Sequence, residues 1–217
     1  MTAEPSIAIV DYGMGNLRSV EKALEHVGHH AVVTSDAAVI SRADGVILPG
    51  VGAFGDAMAE LRSRSILDVV RQRAIEARDG GRPFLGICLG MQVLVDRGEE
   101  SGGCVGMGVI PGECNRLIRP GLKVPHMGWN ALQFTQDDCS LFSGLPSSAY
   151  VYFVHSYAVV PQQPDVVSAV VDYGGEVVAA LHVGNLYATQ FHPEKSQEVG
   201  LQMLANFGRL LHAVTAA

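Results

Sequence analysis

The sequence lacks the long apolar runs and basic clusters that mark membrane and nucleic-acid-binding proteins. Its apolar runs, such as IAIV and GVIL, are only a few residues long, whereas a membrane-spanning helix needs about 20. The net charge is −7 and no run of Lys or Arg occurs, so neither an anionic membrane nor a nucleic acid is expected as a partner. The N-terminal MTAEP has neither a basic nor a long apolar segment, so no secretory signal is expected.

Cysteine is scarce, and its spacing fits neither a zinc site nor a disulfide framework. The sequence has four cysteines, Cys88, Cys104, Cys114 and Cys139, with no C-x-x-C pair and no histidine at ligand spacing. In a long chain without an export signal, such cysteines are mostly small buried hydrophobic residues. These observations predict a cytoplasmic globular protein without a metal site.

The residues that are present predict one α/β domain over residues 1–217. Hydrophobic residues make up 48% of the chain, enough for a large core. In the first ninety residues, apolar runs such as SIAIV and GVILPG alternate with segments of helical periodicity, the first of which is expected to begin at Asn16 as its N-cap. This alternation is typical of a parallel sheet flanked by helices. After residue 104, strand-like segments such as GECNRLIR, WNALQF and AYVYFVHSYAVV predict antiparallel additions in the C-terminal half, and so a mixed, mostly parallel sheet.

One strand of this sheet is predicted to end in a sharp turn at a cysteine. In PFLGICLGMQ, residues 83–92, Cys88 stands between Gly86 and Gly90 in the pattern G-x-C-x-G. Glycines at these positions permit a strained strand–turn–helix elbow that exposes a nucleophile. A helix that begins near Leu89 would direct free N–H groups at the sulfur, favouring a thiolate and offering a donor to an oxyanion. The alternative is a buried cysteine beside glycines that only permit close packing.

A second motif supplies a candidate base for this cysteine. In YATQFHPEKS, an apolar strand runs into His192, and Pro193 ends the strand. Glu194 lies two residues further on, where its carboxylate could accept a hydrogen bond from the imidazole and hold its tautomer. Cys88, His192 and Glu194 would then form a nucleophile, a base and an orienting group. The alternative is a surface turn with a helix-capping acid.

GICLGMQ and QFHPEKS together resemble the class I glutamine amidotransferases, and the likeness spans nearly the whole chain. The resemblance implies a flavodoxin-like fold, no cofactor, and Cys88, His192 and Glu194 as the triad that releases ammonia from glutamine through a thioester. It also implies an oxyanion hole formed by the backbone of Leu89 and by the loop PGVGAFG, at Val51 and Gly52. That loop could instead cradle a phosphate, but GVGAFG contains no lysine, so this reading is disfavoured.

The same resemblance implies a pocket for the glutamine substrate. Gln92 would lie on the nucleophile's side of the helix, one turn after Cys88. Glu100, or its neighbour Glu99, would contact the substrate ammonium group. The remaining walls are implied to come from four backbone positions, namely Gly50, Gly52, Ser156 and Tyr157.

Three further blocks, DYGMGN, PHMGWN and YFVHSY, resemble one branch of that family, the glutaminase subunits of imidazole glycerol phosphate synthase. The resemblance implies a heterodimer with a cyclase subunit, a (β/α)₈ barrel, which uses the ammonia to make imidazole glycerol phosphate and AICAR in histidine biosynthesis. The residues expected to contact this partner are Asn16, Trp129, Tyr152 and Lys195. A self-sufficient γ-glutamyl hydrolase and an inactive binding module are the alternatives.

Overall fold

The first half of the chain alternates strands and helices. The computed structural model describes residues 6–214, with side chains as far as residue 211, so the N-terminal segment on which the export prediction depends lies outside it. The elements are β1 (Ile7–Val10), α1 (Leu17–His26), β2 (Ala31–Thr34), α2 (Ala37–Arg42), β3 (Gly45–Gly50), α3 (Phe54–Ser63), α4 (Leu67–Arg78) and β4 (Phe84–Cys88).

The second half consists mainly of strands and ends in a long helix. Its elements are α5 (Leu89–Gln92), β5 (Val95–Gly98), β6 (Cys104–Val105), β7 (Ile110–Arg116), β8 (His126–Ala131), β9 (Gln133–Phe134), β10 (Tyr150–His155), β11 (Tyr157–Pro161), β12 (Val167–Asp172), β13 (Glu176–Val183), β14 (Leu186–Thr189) and α6 (Gln197–Val214). A single 3₁₀ turn, Pro193–Lys195, joins β14 to α6.

The central sheet is mixed, as the sequence predicts. Its strand order is β2-β1-β3-β4-β14-β13-β12-β9, and the pairs from β2 to β14 are parallel. The five parallel strands are thus arranged 2-1-3-4-5 in chain order, the flavodoxin-like order. The last three strands join by antiparallel pairing. A four-stranded sheet, β11-β7-β5-β6, and a two-stranded ribbon, β10-β8, complete the fold.

Helices cover both faces of the parallel part because its strands are apolar on both faces. In β1, Ile7 and Ile9 pack in the cluster that contains the buried residues of α1 and α6. The alternate residues Ala8 and Val10 pack in the cluster formed with α3 and α4. None of the helices within residues 6–214 combines the length and apolar character that crossing a membrane requires.

The structure differs from the sequence expectation in local details. The run AYVYFVHSYAVV is not one strand, because the chain bends at Ser156 and the two halves pair with different partners, β8 and β7. Asn16 stands at the N-cap of α1, but among the described residues its side chain makes no capping hydrogen bond. The short elements α2, β5 and β6 were not expected from the sequence, because each is too short for a periodic pattern to indicate it.

Candidate active site

The cysteine at the end of β4 has the strained backbone that the elbow predicts. Cys88 has φ 54° and ψ −107°, outside the regions that a residue with a side chain normally occupies. The residues two positions before and after Cys88 must be glycine for steric reasons. A Cβ on Gly90 would lie 1.8 Å from the carbonyl oxygen of Leu48. A Cβ on Gly86 would lie 2.9 Å from the Gly90 oxygen. Close packing and the elbow, which the sequence offered as alternatives, are therefore both present.

The histidine and the glutamate of the second motif are hydrogen-bonded and buried. His192 Nδ1 lies 2.8 Å from Glu194 Oε1, and the side chains are 2% and 1% exposed. His192 Nε2 makes no hydrogen bond of normal geometry to any described residue, although it is close enough to the Cys88 thiol for the two groups to interact. Burial by itself would lower the pKa of His192, but Cys88 and Glu194 outweigh it and raise the pKa to about 9.

A cavity of about 370 Å³ opens beside the sulfur and the imidazole. It brings together Cys88 and His192 with most of the predicted oxyanion and substrate residues, namely Val51, Gly52, Leu89, Gln92, Glu100, Ser156 and Tyr157. Gly50 does not line it and pairs with Cys88 across β3 and β4. A Cβ on Gly50 would lie 2.2 Å from the Tyr12 hydroxyl, so this glycine permits close packing below the loop.

The polar residues of the cavity also form hydrogen bonds with the segments that surround it. Glu100 Oε2 accepts a hydrogen bond of 2.7 Å from the backbone N–H of Phe54, the first residue of α3. Glu99 is exposed, is absent from the cavity wall and accepts from the backbone of Arg116. Gln92 Nε2 donates to the Tyr157 carbonyl oxygen at 3.1 Å and to Gln190 Oε1 at 3.0 Å. Both amide hydrogens of Gln92 are thus occupied, which leaves its oxygen for a ligand.

Gln190 was not predicted, although it contacts the nucleophile. It is fully buried, and its Nε2 donates to Cys88 Sγ at 3.6 Å. It lies two residues before His192, in the segment that follows β14, and the side chains of both residues approach Cys88. That spacing could have indicated it, but a glutamine in an apolar strand has no distinctive pattern of its own.

Three of the four residues predicted to contact a partner form one surface cluster. Trp129 is 46% exposed and meets Tyr152 edge-on at 6.1 Å between ring centroids. Lys195 Nζ lies 6.0 Å from the Tyr152 centroid, within cation–π range. The backbone of Tyr152 accepts from His192 N at 3.1 Å, so this surface is continuous with the candidate base. Asn16 is the N-cap of α1, a helix that passes close to the turn bearing Lys195.

Among the described residues, no second set of cysteine, histidine and acid resembles the one at Cys88. All four cysteines are free thiols, and burial raises the pKa of Cys139 to about 11. A larger cavity, of about 680 Å³, lies between α6 and the segment that contains Cys139. Among the residues whose side chains are described, no histidine lines this cavity. Among the side chains that the structure describes, no group of three or more His, Cys, Asp or Glu is placed to hold a metal ion.

The comparisons with known proteins agree with this geometry. The family model Glutamine amidotransferase class-I matches residues 8–210. The chain is 50% identical over 209 residues to the imidazole glycerol phosphate synthase subunit HisH of Synechococcus elongatus, covering 95% of this chain and 94% of that one. It is 49% identical over 211 residues to the HisH subunit of Moorella thermoacetica, covering 97% and 98%.

Solved structures show the same fold at low sequence identity. PurLQS of Thermotoga maritima aligns with a TM-score of 0.70 at 19% identity, covering 94% of this chain and 98% of that one. A crystal structure of a glutamine amidotransferase aligns with a TM-score of 0.69 at 21% identity over the same shares. The chain therefore belongs to the class I glutamine amidotransferases, and within them to the family of the HisH subunits of imidazole glycerol phosphate synthase.

Proposed function

We propose that this protein is the glutaminase subunit of an imidazole glycerol phosphate synthase. It hydrolyses L-glutamine to glutamate and ammonia and passes the ammonia to a cyclase subunit in histidine biosynthesis. The observation that carries the proposal is the strained Cys88 beside His192 in one cavity, with the buried Glu194 hydrogen-bonded to that histidine. The identity of about 50% to HisH subunits over 95% of the chain supports the choice of pathway.

In this proposal the three side chains carry out an acyl transfer in two steps. His192 takes the proton of the Cys88 thiol, the sulfur attacks the γ-amide carbon of glutamine, and His192 then gives this proton to the nitrogen that leaves as ammonia. Water then attacks the thioester, with His192 as the base, and glutamate is released. Glu194 holds the imidazole with Nδ1 donating, which leaves Nε2 for the reacting groups. The absence of a hydrogen-bond partner for Nε2 among the described residues is consistent with this role.

Both tetrahedral intermediates carry an oxyanion that needs preorganised donors. We assign the backbone N–H of Leu89, at the start of α5, as one donor. The second is assigned to the loop at Val51 and Gly52, which faces Cys88 across the cavity. Gly52 has φ 103°, a conformation that favours glycine, and so its peptide can face the cavity where another residue would be strained.

The substrate's charged ends require an acid and several donors or acceptors. We assign Glu100 to the ammonium group, because its carboxylate lines the cavity while one oxygen holds α3. Gln92 is assigned to the substrate through its amide oxygen. Backbone groups of Ser156 and Tyr157, at the bend between β10 and β11, complete the wall, with Gly50 supporting the loop from below.

The partner is proposed to be the (β/α)₈ cyclase subunit, bound as a heterodimer. Trp129, Tyr152 and Lys195 would form the docking cluster, with Asn16 beside it. A partly exposed tryptophan beside a tyrosine and a cation fits the composition of interface anchors. The cyclase would use the ammonia to make imidazole glycerol phosphate and AICAR.

The proposal includes one amidotransferase domain and a cytoplasmic location. The family model runs through residues 8–210, and the two hydrophobic clusters share the strands of one central sheet, which supports a single domain. All four cysteines, each within the described residues, are unpaired, as is usual in a reducing compartment.

The test is glutamate release from glutamine, measured with the chain alone and with the cyclase subunit plus its ligand. Strong stimulation by the partner is expected, and Cys88→Ala should abolish activity in both conditions. Cys104→Ala is the matched control and should retain it, because Cys104 lies outside the cavity. High unassisted activity on γ-glutamyl peptides, without a response to the partner, would favour a self-sufficient hydrolase instead.

A further inference from the structure

Two histidines outside the triad form a buried hydrogen-bonded pair beside the cavity. His126 Nδ1 lies 3.1 Å from His155 Nε2, and His155 Nδ1 lies 2.9 Å from the carbonyl oxygen of Tyr157. The two residues are 2% and 5% exposed. Neither has a part in the chemistry proposed above. Buried imidazoles that are fully engaged in hydrogen bonds fix the positions of the groups that they connect.

The acceptor at one end fixes the direction of these bonds. A carbonyl oxygen can only accept, so His155 Nδ1 must donate to Tyr157. In a neutral imidazole the other nitrogen then accepts, which makes His126 Nδ1 the donor to His155 Nε2. Burial lowers the pKa of both His126 and His155 to about 4, so at neutral pH each ring carries one proton and the direction is fixed.

Packing holds His126 in place. Its ring is stacked on Phe153 at 4.6 Å and on Tyr173 at 3.9 Å between centroids. It also lies directly opposite His155 in the antiparallel ribbon of β8 and β10. A ring stacked against two aromatic neighbours cannot turn freely, so a displacement of β8 would be transmitted to His155.

The hydrogen bonds continue from Tyr157 to the nucleophile. The Tyr157 carbonyl oxygen also accepts from Gln92 Nε2, and the second hydrogen of that amide is donated to Gln190 Oε1. Gln190 Nε2 then donates to Cys88 Sγ. An N–H group directed at sulfur stabilises a thiolate more than a thiol. The chain of bonds therefore ends on the atom whose charge decides reactivity.

The opposite end of the chain lies on an exposed strand. On β8, His126 points inward, whereas Met127 and Trp129 are 62% and 46% exposed. Side chains alternate between the faces of a strand, so one short element carries both the exposed residues and the first imidazole. A partner that contacts Met127 or Trp129 would therefore displace a strand that is connected to Cys88 by hydrogen bonds.

We propose that His126 and His155 are positioning residues of the glutaminase site. They hold the Tyr157 carbonyl, and through it the amides of Gln92 and Gln190, so that Gln190 Nε2 stays directed at Cys88 Sγ. They also connect that contact to β8 and the docking cluster. This inference rests on the proposed function, because a positioned thiolate matters only if Cys88 is the nucleophile.

Two substitutions of His155 distinguish the effect of its hydrogen bond to Tyr157 from the effect of its hydrogen bond to His126. The amide nitrogen of an asparagine occupies nearly the position of imidazole Nδ1, so His155→Asn keeps the donor to Tyr157 and loses the contact with His126. In His155→Gln the amide lies near the Nε2 position, so the donor to Tyr157 is lost. We expect kcat/KM for glutamine with the partner bound to fall about a hundredfold in His155→Gln and less than about tenfold in His155→Asn.

A second readout requires neither glutamine nor the partner. The rate at which iodoacetamide alkylates Cys88 at pH 7, followed by peptide mass spectrometry, reports the thiolate. This rate should fall about threefold to tenfold in His155→Gln and change little in His155→Asn. Another outcome is that the alkylation rate of Cys88 depends on residue 155 in this way while the wild type shows no glutaminase activity with the partner. In that case the proposed function fails and the positioning role stands.

Two controls distinguish positioning from loss of stability. His182→Asn removes another histidine that makes two ring hydrogen bonds and stacks on Tyr187, away from the cavity. It should lower stability without slowing Cys88 alkylation. His126→Phe keeps an aromatic ring in the stack but removes the donor, and it should reduce kcat/KM about threefold. Equal losses in His155→Asn and His155→Gln, or alkylation unchanged in both, would overturn the proposal.

Discussion

Five buried side-chain atoms of the described residues have no hydrogen-bond partner, and one of them is a tyrosine hydroxyl beside the site. The Tyr12 hydroxyl has no hydrogen-bond partner among the described residues, although the residue is fully buried against Gly50. A buried polar group without a partner costs its full desolvation free energy, on the order of 1–3 kcal/mol. Native proteins tolerate few such groups, and they often lie at functional sites. This one lies directly beneath the loop assigned to the oxyanion hole.

Tyr12→Phe should therefore raise the free energy of unfolding, by about 1 kcal/mol, because it removes only the unsatisfied hydroxyl. Urea denaturation followed by circular dichroism measures the change. Tyr187→Phe is the matched control, since Tyr187 is also buried but its hydroxyl is close enough to Ser140 to interact with it. That variant should lose about 1 kcal/mol. A loss of stability in both variants would mean that the Tyr12 hydroxyl is satisfied in solution.

The raised pKa of His192 makes a second prediction at this scale. Its folded value of about 9 exceeds the ordinary value of 6.5, so protonated His192 stabilises the folded state. This contribution is fully present below pH 6.5 and is lost as the pH rises through about 9. The free energy of unfolding of the wild type should thus fall relative to that of His192→Gln between pH 6.5 and 9. If the free energies of unfolding of the two proteins changed in parallel with pH, the raised pKa of His192 would be contradicted.

At the scale of elements, α4 is tied to the end of α2 and to the segment before β4 by one carboxylate between two arginines. Glu76 bonds to Arg73 at 2.6 Å and to Arg82 at 2.8 Å, and both arginines donate to the Ala43 carbonyl oxygen. The Arg73 side chain is only 3% exposed, so its charge needs a partner. Burial would raise the pKa of Glu76, but Arg82 and Arg73 outweigh it and lower the pKa to about 2.

Glu76→Gln should lower the free energy of unfolding by about 2 kcal/mol, because it leaves the Arg73 charge uncompensated. The wild type should lose this contribution only in acid, since a lowered carboxyl pKa stabilises above about pH 4.5 and the effect disappears as the pH falls through about 2. The exposed pair Arg64–Glu60 provides the control, and Glu60→Gln should cost less than about 0.5 kcal/mol. Equal effects of the two variants would show that burial of Arg73 is unimportant.

Elements with a strong local signal were predictable from the sequence, and those decided by their partners were not. The strand that ends at Cys88 and the turn that contains His192 follow from glycine and proline at fixed positions. The bend at Ser156 has no such signal, because the apolar run is continuous and only pairing with β8 on one side and β7 on the other divides it. Gln190 was missed for a related reason, since its role exists only once β4 and β14 are neighbours.

At the scale of the whole molecule, the parallel strands gather the site from distant parts of the sequence. Cys88 ends β4 and His192 follows β14, and these strands pair in parallel, so both residues reach the same edge of the sheet. The ribbon of β8 and β10 meets that edge where Tyr152 bonds to the backbone of His192, and it carries Trp129 and Tyr152 of the docking cluster. The catalytic machinery and the surface assigned to the partner are thus parts of one continuous structure.

The position of Trp129 in that structure also provides a direct signal of assembly. The chain has a single tryptophan, and it lies 46% exposed on the ribbon. Protein labelled with 5-fluorotryptophan should therefore give one ¹⁹F resonance, and an unlabelled partner would contribute none. Docking should shift this resonance and make it insensitive to solvent isotope, whereas a resonance that does not move would place the interface elsewhere. Titration followed at this one nucleus would give both the stoichiometry and the exchange rate of the complex.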